Sequence, residues 1–221
     1  MGDIMELDFL FMKDQIPLFL KAILVTLQIA FFGILGATVL GMINSIICYY
    51  KIKFLDKIVI TYVEISRNTP LLIQLFFLYF GLPSIGIKLD NFTCALVGII
   101  FLGGSYMTEA FRAGLESIEK VQIESGLSIG LTKFQLMFYV ILPQAFRVSI
   151  PAIGANFIFL LKETSIVSAI SVGELLYTTN SLIAIYYKTY EMLFMLVICY
   201  FLLIILLSLI LYFTERRLIY E

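Results

Sequence analysis

The sequence predicts an all-α, polytopic membrane protein with about five transmembrane helices. Three observations carry that expectation. Of 221 residues, 61% are hydrophobic and only 14% charged, more apolar surface than a soluble domain could hide. Apolar windows long enough to cross about 30 Å of hydrocarbon recur along the chain. Lysine and arginine gather between alternate windows, as the positive-inside bias of a multi-span protein requires. Composition also bounds the partners. Membrane lipid surrounds such a chain, and a net charge of −1 offers no electrostatic footprint for nucleic acid. The absence of histidine removes the commonest metal ligand and general base.

The N-terminal stretch MGDIMELDFLFMKD is acidic and lacks the basic start of a cleaved signal peptide. The first span, Ala22 to Tyr50, is therefore expected to insert uncleaved. Asn68 to Ile87 is a second charge-free window, and its helix is read as starting near Leu55 because Ile58 to Ile65 is also largely apolar. Asn91 to Thr108 is the third window, and Met192 to Thr214 the last and greasiest. Between Phe134 and Leu161 the pattern is interrupted by Arg147, Pro143 and Pro151. Val148 to Leu161 alone is too short to span. A fourth helix is expected from near Gln144 to Glu163. If its prolines break it at depth, it must lie against protein or a water-filled pathway. Cys48, Cys94 and Cys199 all fall inside apolar segments and read as small core residues, neither a disulfide nor a metal set.

Five spans put the termini on opposite sides. Lys51, Lys53 and Lys57, then Arg112, Lys120, Lys133 and Arg147, then Arg216 and Arg217 all fall on one side if the N-terminus is external. The other side receives Lys13, Lys21, Lys88 and Lys188. The C-terminus and the segment after span three are therefore expected in the cytoplasm.

That segment, Val121 to Arg147, is polar in a chain that is mostly apolar. Gln122, Glu124 and Ser125 are polar, while Ile123, Leu127 and Ile129 are apolar, which suits a short surface helix with one greasy face. Gly126 and Gly130 recur four residues apart. They either let another surface come close or simply turn the chain.

Glu124-Ser125-Gly126, then Gly130, then Ile141-Leu142-Pro143, resembles the EAA loop of ATP-binding cassette (ABC) importer permeases. Ser125 and Gly126 stand where two alanines are usual. Both are small, although Gly126 weakens a helix by roughly 1 kcal/mol relative to alanine. Arg67-Asn68-Thr69-Pro70-Leu71-Leu72-Ile73-Gln74 is similar to the R-x-T-P-L-L-x-Q segment of the polar amino-acid branch of these permeases. Lys162-Glu163-Thr164-Ser165 is similar to that branch's K-[DE]-T-S. Leu142-Pro143-Gln144-Ala145 with Arg147 also agrees. The resemblance runs from about residue 18 to 214 of a single permease domain, 1–221.

It implies the type I importer permease fold. The coupling loop, about 121–133, would hold a cytoplasmic helix that contacts the ATPase through Gln122, Glu124, Ser125, Gly126 and Gly130. The implied partners are a dimer of ABC ATPase subunits, a second permease chain (copy or sibling) and an extracytoplasmic amino-acid-binding protein. The implied site is the bacterial cytoplasmic membrane. The chain has no G-x-x-x-x-G-K-[ST] phosphate loop, so it is not the ATPase. It is expected to be no enzyme by itself and to need no cofactor.

Polar groups inside the membrane default to function. Glu163 follows an apolar run and is flanked by Lys162, Thr164 and Ser165. Its carboxylate would accept hydrogen bonds from a substrate ammonium, with Lys162 a further candidate for substrate contact, or the two would pair at the external end of span four. Thr164 and Ser165 would touch substrate or bond back to their helix. Asn156 lies two turns before Glu163 on roughly the same face, to contact substrate or to bond across helices. Its neutrality tilts the substrate from a cationic toward a neutral or acidic amino acid. In span two, Pro70 removes a helix donor and frees a carbonyl, and Thr69 and Gln74 are expected to line the pathway. Arg67 is read as an anchor or as a partner of Glu64. Glu109 and Arg112, three residues apart, are read as a structural or gating pair. Tyr49, Tyr50, Tyr186, Tyr187 and Tyr212 fall at span edges as an aromatic belt.

Two other classes fit parts of this pattern. An ion-coupled secondary transporter would need an ionisable pair at mid-membrane, and inverted repeats mark many of that class; no convincing repeat is seen here. A membrane scaffold without a pathway would not need Asn156 and Glu163 on one face.

Overall fold

The computed structural model describes residues 7–220. The first six residues of the acidic N-terminal stretch lie outside them. Among the described residues every regular element is helical. Four helices are long and apolar enough to cross a membrane, and a bent pair raises the number to five.

Helix α1, Phe9–Tyr49, starts 13 residues before the first apolar window. Asp8 sets that start by accepting a hydrogen bond from the Phe11 N–H at 3.0 Å, which satisfies an otherwise orphan donor. Lys13, Asp14 and Lys21 precede the apolar window but lie within the helix.

Helix α4, Asn91–Glu116, begins as the third window does but runs eight residues further. Asp90 caps it, and the Thr93 hydroxyl and N–H hold the Asp90 carboxyl below the usual range. The two helices run parallel and touch closely. Gly33, Ala37 and Gly41 recur every four residues on α1 and are buried. They meet Ile99, Gly103 and Met107 of α4 in the same order. A Cβ added at Gly41 would meet the Met107 side chain and the backbone at Thr108. Small residues at this spacing let two helix backbones pack where lipid offers no hydrophobic drive.

The second span is two helices, α2 (Leu55–Asn68) and α3 (Leu71–Phe76). A wide π turn, Phe77–Gly81, and a tight turn, Leu82–Ile85, continue α3. The two halves are bent by 105°. The break lies at Thr69-Pro70. Thr69 is extended (φ −116°, ψ 126°), as the residue before a proline prefers. Tyr62 and Ser66 fasten α2 to α4 by donating to the Phe101 carbonyl at 2.6 and 3.0 Å.

A short helix, α5 (Lys120–Ser128), follows α4. Then α6 (Lys133–Leu136), a π turn (Met137–Ile141) and α7 (Leu142–Glu163) run on without interruption. The fourth span thus starts about 11 residues before the expected Gln144. A capping box does this: the Thr132 hydroxyl accepts from the Gln135 N–H, and the Gln135 amide oxygen accepts from the Thr132 N–H. Pro143 is accommodated because the π turn before it moves away the carbonyl its ring would strike. Pro83 follows the other π turn in the same way. Pro151 does not break α7 either, so the break at depth belongs to span two and not to span four.

Beyond α7 a tight helix, Thr164–Ile170, leads to α8 (Leu175–Tyr186) and α9 (Thr189–Tyr220). Helix α8 was not foreseen, because 12 residues are too few to span. Its cap, Glu174, is buried and accepts from the Leu176 and Tyr177 N–H groups and from the Tyr200 hydroxyl of α9. Cys48, Cys94 and Cys199 are free thiols in or beside the helix core.

Candidate functional site

Two places gather most of the candidate site residues that the sequence singles out. The first lies at the middle of α4, roughly 15–20 Å from Glu116 at about 1.5 Å per residue. Here α4, α7 and the break between α2 and α3 enclose a cleft of about 240 Å³. Arg67, Thr69, Tyr106, Phe159 and Glu163 are among its walls. Thr69 and Glu163, 94 positions apart in sequence (163 − 69), are brought to one site.

The break creates this cleft, and Gln74 holds the break open. The Gln74 amide nitrogen donates to the Ser66 carbonyl and to the Thr69 carbonyl, both at 3.0 Å. Those carbonyls lose their helical donors where the chain turns. The Pro70 carbonyl is taken by the Ile73 and Gln74 N–H groups. The carbonyl that Pro70 is expected to free, that of Ser66, is thus filled from within the chain by Gln74. The Gln74 amide oxygen is buried and has no partner among the described residues. Gln74 lies behind the cleft, in an apolar groove shared with Thr69, Ile73 and Phe101.

Glu163 is half-buried and has no hydrogen-bond or ion-pair partner among the described residues. It does not end its span, because helical turns continue to Ile170. Lys162 is exposed and is not part of the cleft wall. The Thr164 hydroxyl bonds back to the Leu161 carbonyl at 2.7 Å, and Ser165 to the Lys162 carbonyl at 2.9 Å. Asn156 donates across helices to the Tyr106 carbonyl at 3.3 Å, which fixes α7 against α4 beside the cleft.

Arg67 does not pair with Glu64. Its guanidinium sits 5.1 Å over the Tyr106 ring and 3.9 Å from the Glu109 carboxylate. Glu109 is held at 2.6 Å by Arg112, which also reaches Glu116 at 2.8 Å. These charges line a wider opening of about 850 Å³ that runs from Arg67 toward Glu116 and Lys51. Arg67 and Tyr106 belong to both cavities. Sequence reasoning missed Tyr106 and Phe159, since an aromatic in an apolar window gives no local signal.

The second place is the loop after α4. Val121, Leu127 and Ile129 are 65%, 47% and 78% exposed on or just beyond α5, while Ile123 packs inward against the cluster of Leu115, Leu136 and Met137. Gln122, Glu124 and Ser125 are exposed beside them. The Gln144 amide nitrogen donates to the Gln122 amide oxygen at 2.7 Å and ties α5 to the foot of α7. The two glycines divide the roles that spacing left open. Gly126 is buried, and a Cβ there would meet Leu136 of the same chain; the close approach is internal, not to an outside surface. Gly130 has φ +85° and turns the chain. Among the described residues no three His, Cys, Asp or Glu side chains form a metal-ligand group.

Residues 37–220 match the family described as "Binding-protein-dependent transport system inner membrane component". The chain is 37% identical over 175 residues to a probable amino-acid ABC transporter permease protein, PatM, of Vibrio harveyi, covering 78% of each. It is 32% identical over 215 residues to the glutamine transport system permease protein GlnP of Escherichia coli (strain K12), covering 96% of this chain and 98% of that one. Its fold superposes with a TM-score of 0.89, at 32% identity, on a crystal structure of an amino acid ABC transporter with histidines, covering 96% of this chain and all of that one. An inward facing MetNI methionine ABC transporter shares the fold at 20% identity, with a TM-score of 0.76.

Proposed function

The chain belongs to the binding-protein-dependent transport system inner membrane components, and on that premise we infer that it carries a polar amino acid across the bacterial cytoplasmic membrane as the permease subunit of an ABC importer. It is a multi-pass membrane protein and not an enzyme; ATP is hydrolysed by a separate subunit. An ion-coupled carrier and a scaffold without a pathway both give way to this family. The family works with an ATPase and a substrate-binding protein. Finer points are our reading. The N-terminus is external and the C-terminus cytoplasmic, as lysine and arginine placement requires. Two ATPase copies and a second permease chain, a copy or a sibling, complete the assembly.

The observation that carries the site is Glu163, a half-buried carboxylate with no hydrogen-bond or ion-pair partner among the described residues, in the cleft beside the middle of α4. Such a group accepts charge-assisted hydrogen bonds from a substrate ammonium. Thr69 offers a hydroxyl and a bent backbone on the facing wall. Asn156, Lys162, Thr164, Ser165 and Gln74 act around the contact by holding Tyr106, the end of α7 and the break. No second carboxylate lines the cleft, which favours a neutral amino acid over a cationic one. The exposed face of α5 near Gln122, Glu124 and Ser125 docks on the ATPase. Gly126 and Gly130 shape that face. ATP-driven closure moves α5, and Gln122–Gln144 carries the motion into α7.

The test is ATP turnover by the assembled complex in lipid, with and without an amino-acid-loaded binding protein. Stimulation by one amino acid is expected. Glu163→Gln removes that stimulation and leaves the complex assembled. No stimulation by any of the twenty amino acids would sink the import reading, and unchanged ligand dependence in Glu163→Gln removes Glu163 from the site.

A further inference from the structure

We propose that Arg67 reads the carboxylate of the transported amino acid, and that Glu109 competes for Arg67 while the cleft is empty. This rests on the amino-acid import reading and on the cleft at Glu163. A zwitterion presents one ammonium and one carboxylate, and the cleft wall carries one side chain of each opposite sign, Glu163 and Arg67.

Arg67 is available for this. A guanidinium has five donors in a planar fork suited to a carboxylate. Its ion pair with Glu109 is 3.9 Å long, beyond hydrogen-bond reach. Glu109 already gives both oxygens to Arg112, at 2.6 and 3.3 Å. The Tyr106 ring holds the guanidinium in place at 5.1 Å without occupying its donors. Arg67 therefore sits between two carboxylate positions, one fixed on α4 and one in the cleft. A substrate carboxylate that forms a bidentate pair with it displaces the weaker contact.

The displacement has somewhere to go. Glu109 is the first link in a chain of ion pairs through Arg112 to Glu116, the last residue of α4. Helix α5 begins four residues later, at Lys120. Release of Arg67 leaves Glu109 wholly to Arg112, the residue that also holds Glu116 at the end of α4 leading to the docking loop. A filled cleft thus alters the charge balance of the Glu109–Arg112–Glu116 chain that ends four residues before α5.

The test uses the complete permease–ATPase complex in lipid nanodiscs. Twenty amino acids are first ranked by thermal stabilisation of the complex. The strongest is then compared with the amino alcohol of the same side chain, in which CH2OH replaces the carboxylate. The wild type binds the amino alcohol at least about tenfold more weakly, the loss of one charge-assisted pair. Arg67→Ala lowers amino-acid binding by about 10- to 100-fold and no longer separates acid from alcohol; Arg67→Lys falls between. Glu109→Gln tightens amino-acid binding and keeps the separation, while ATP turnover stops responding to the amino acid. Size-exclusion of each variant complex verifies assembly. If assembled Arg67→Ala still favours acid over alcohol, Arg67 does not read the carboxylate. If Glu109→Gln weakens binding as Arg67→Ala does, Glu109 positions Arg67 and the competition is wrong. If no amino acid stabilises the wild type, the import reading itself falls.

Discussion

Pro70 and Pro151 both lie within membrane-spanning segments, yet only one breaks its helix. At Pro70 the span bends by 105°. At Pro151 helix α7 continues from Leu142 to Glu163. Each proline removes one backbone donor and crowds the carbonyl four residues earlier, so proline alone does not explain the difference. The surroundings do. Beside Pro70, Gln74 supplies donors to the Ser66 and Thr69 carbonyls, and a cleft receives the turned chain. Beside Pro151 the ring is exposed, and among the described residues no side chain donates to the freed Arg147 carbonyl. A helix in lipid opens only where the protein can satisfy what opening exposes.

Gln74→Met breaks this contrast most severely. It keeps the side-chain length and removes both donors. Two partly buried carbonyls then lack partners, at about 1–3 kcal/mol each, partly offset because the unpartnered amide oxygen also goes. We expect a net loss of about 2–4 kcal/mol, read as a lower midpoint when the complex is heated and assayed by size-exclusion. Transport falls with it. A midpoint equal to that of the wild type would mean that the bend holds itself and that Gln74 only follows it.

Pro70→Ala attacks the same bend from the other side. Alanine restores the N–H at position 70 and allows Thr69 the helical conformation that proline denies it. The N–H then competes with Gln74 for the Ser66 carbonyl, and α2 runs straighter into α3. We expect assembly to survive and transport to fall by roughly tenfold, because kinks of this size trace to proline or to an inserted side chain. Transport at the wild-type rate would show that the cleft does not need the proline.

These expectations mark where sequence legibility ended. The apolar windows gave the spans and nearly all their order, because lipid demands long uncharged helices. Their ends were harder. Asp8 starts α1 before Lys13 and Lys21, and a window that forbids charge begins only at Ala22. The 12-residue α8 falls below any spanning length. Thr69 and Glu163 were both singled out, one beside a proline and one as a carboxylate in an apolar run, and they share one cleft. Partners across helices were not legible. Arg67 had Glu64 three residues away as its local candidate, and its partner Glu109 is 42 positions on (109 − 67). Gly126 could face an outside surface or its own chain, and only packing against Leu136 decides that. Gln74 reaches back eight residues to Ser66, a contact that needs the bend before it exists.

Pro151→Ala is the mildest change and tests the quiet side of the comparison. The alanine N–H can bond the Arg147 carbonyl and complete the turn, and the position is exposed, so no packing is disturbed. If α7 only tolerates its proline, thermal stability holds or rises slightly and transport stays within about twofold of the wild type. The neighbouring contacts support this outcome. The Ser149 hydroxyl donates to the Ala110 and Ala145 carbonyls at 3.0 and 2.9 Å, and Asn156 reaches Tyr106. Both bind α7 to α4 on either side of position 151. A helix pinned at two points on one face has little freedom to hinge between them. A large loss of transport in Pro151→Ala, with the complex intact, would therefore mean that α7 bends during the cycle despite those pins. The two prolines would then be two hinges around one cleft rather than one hinge and one straight wall.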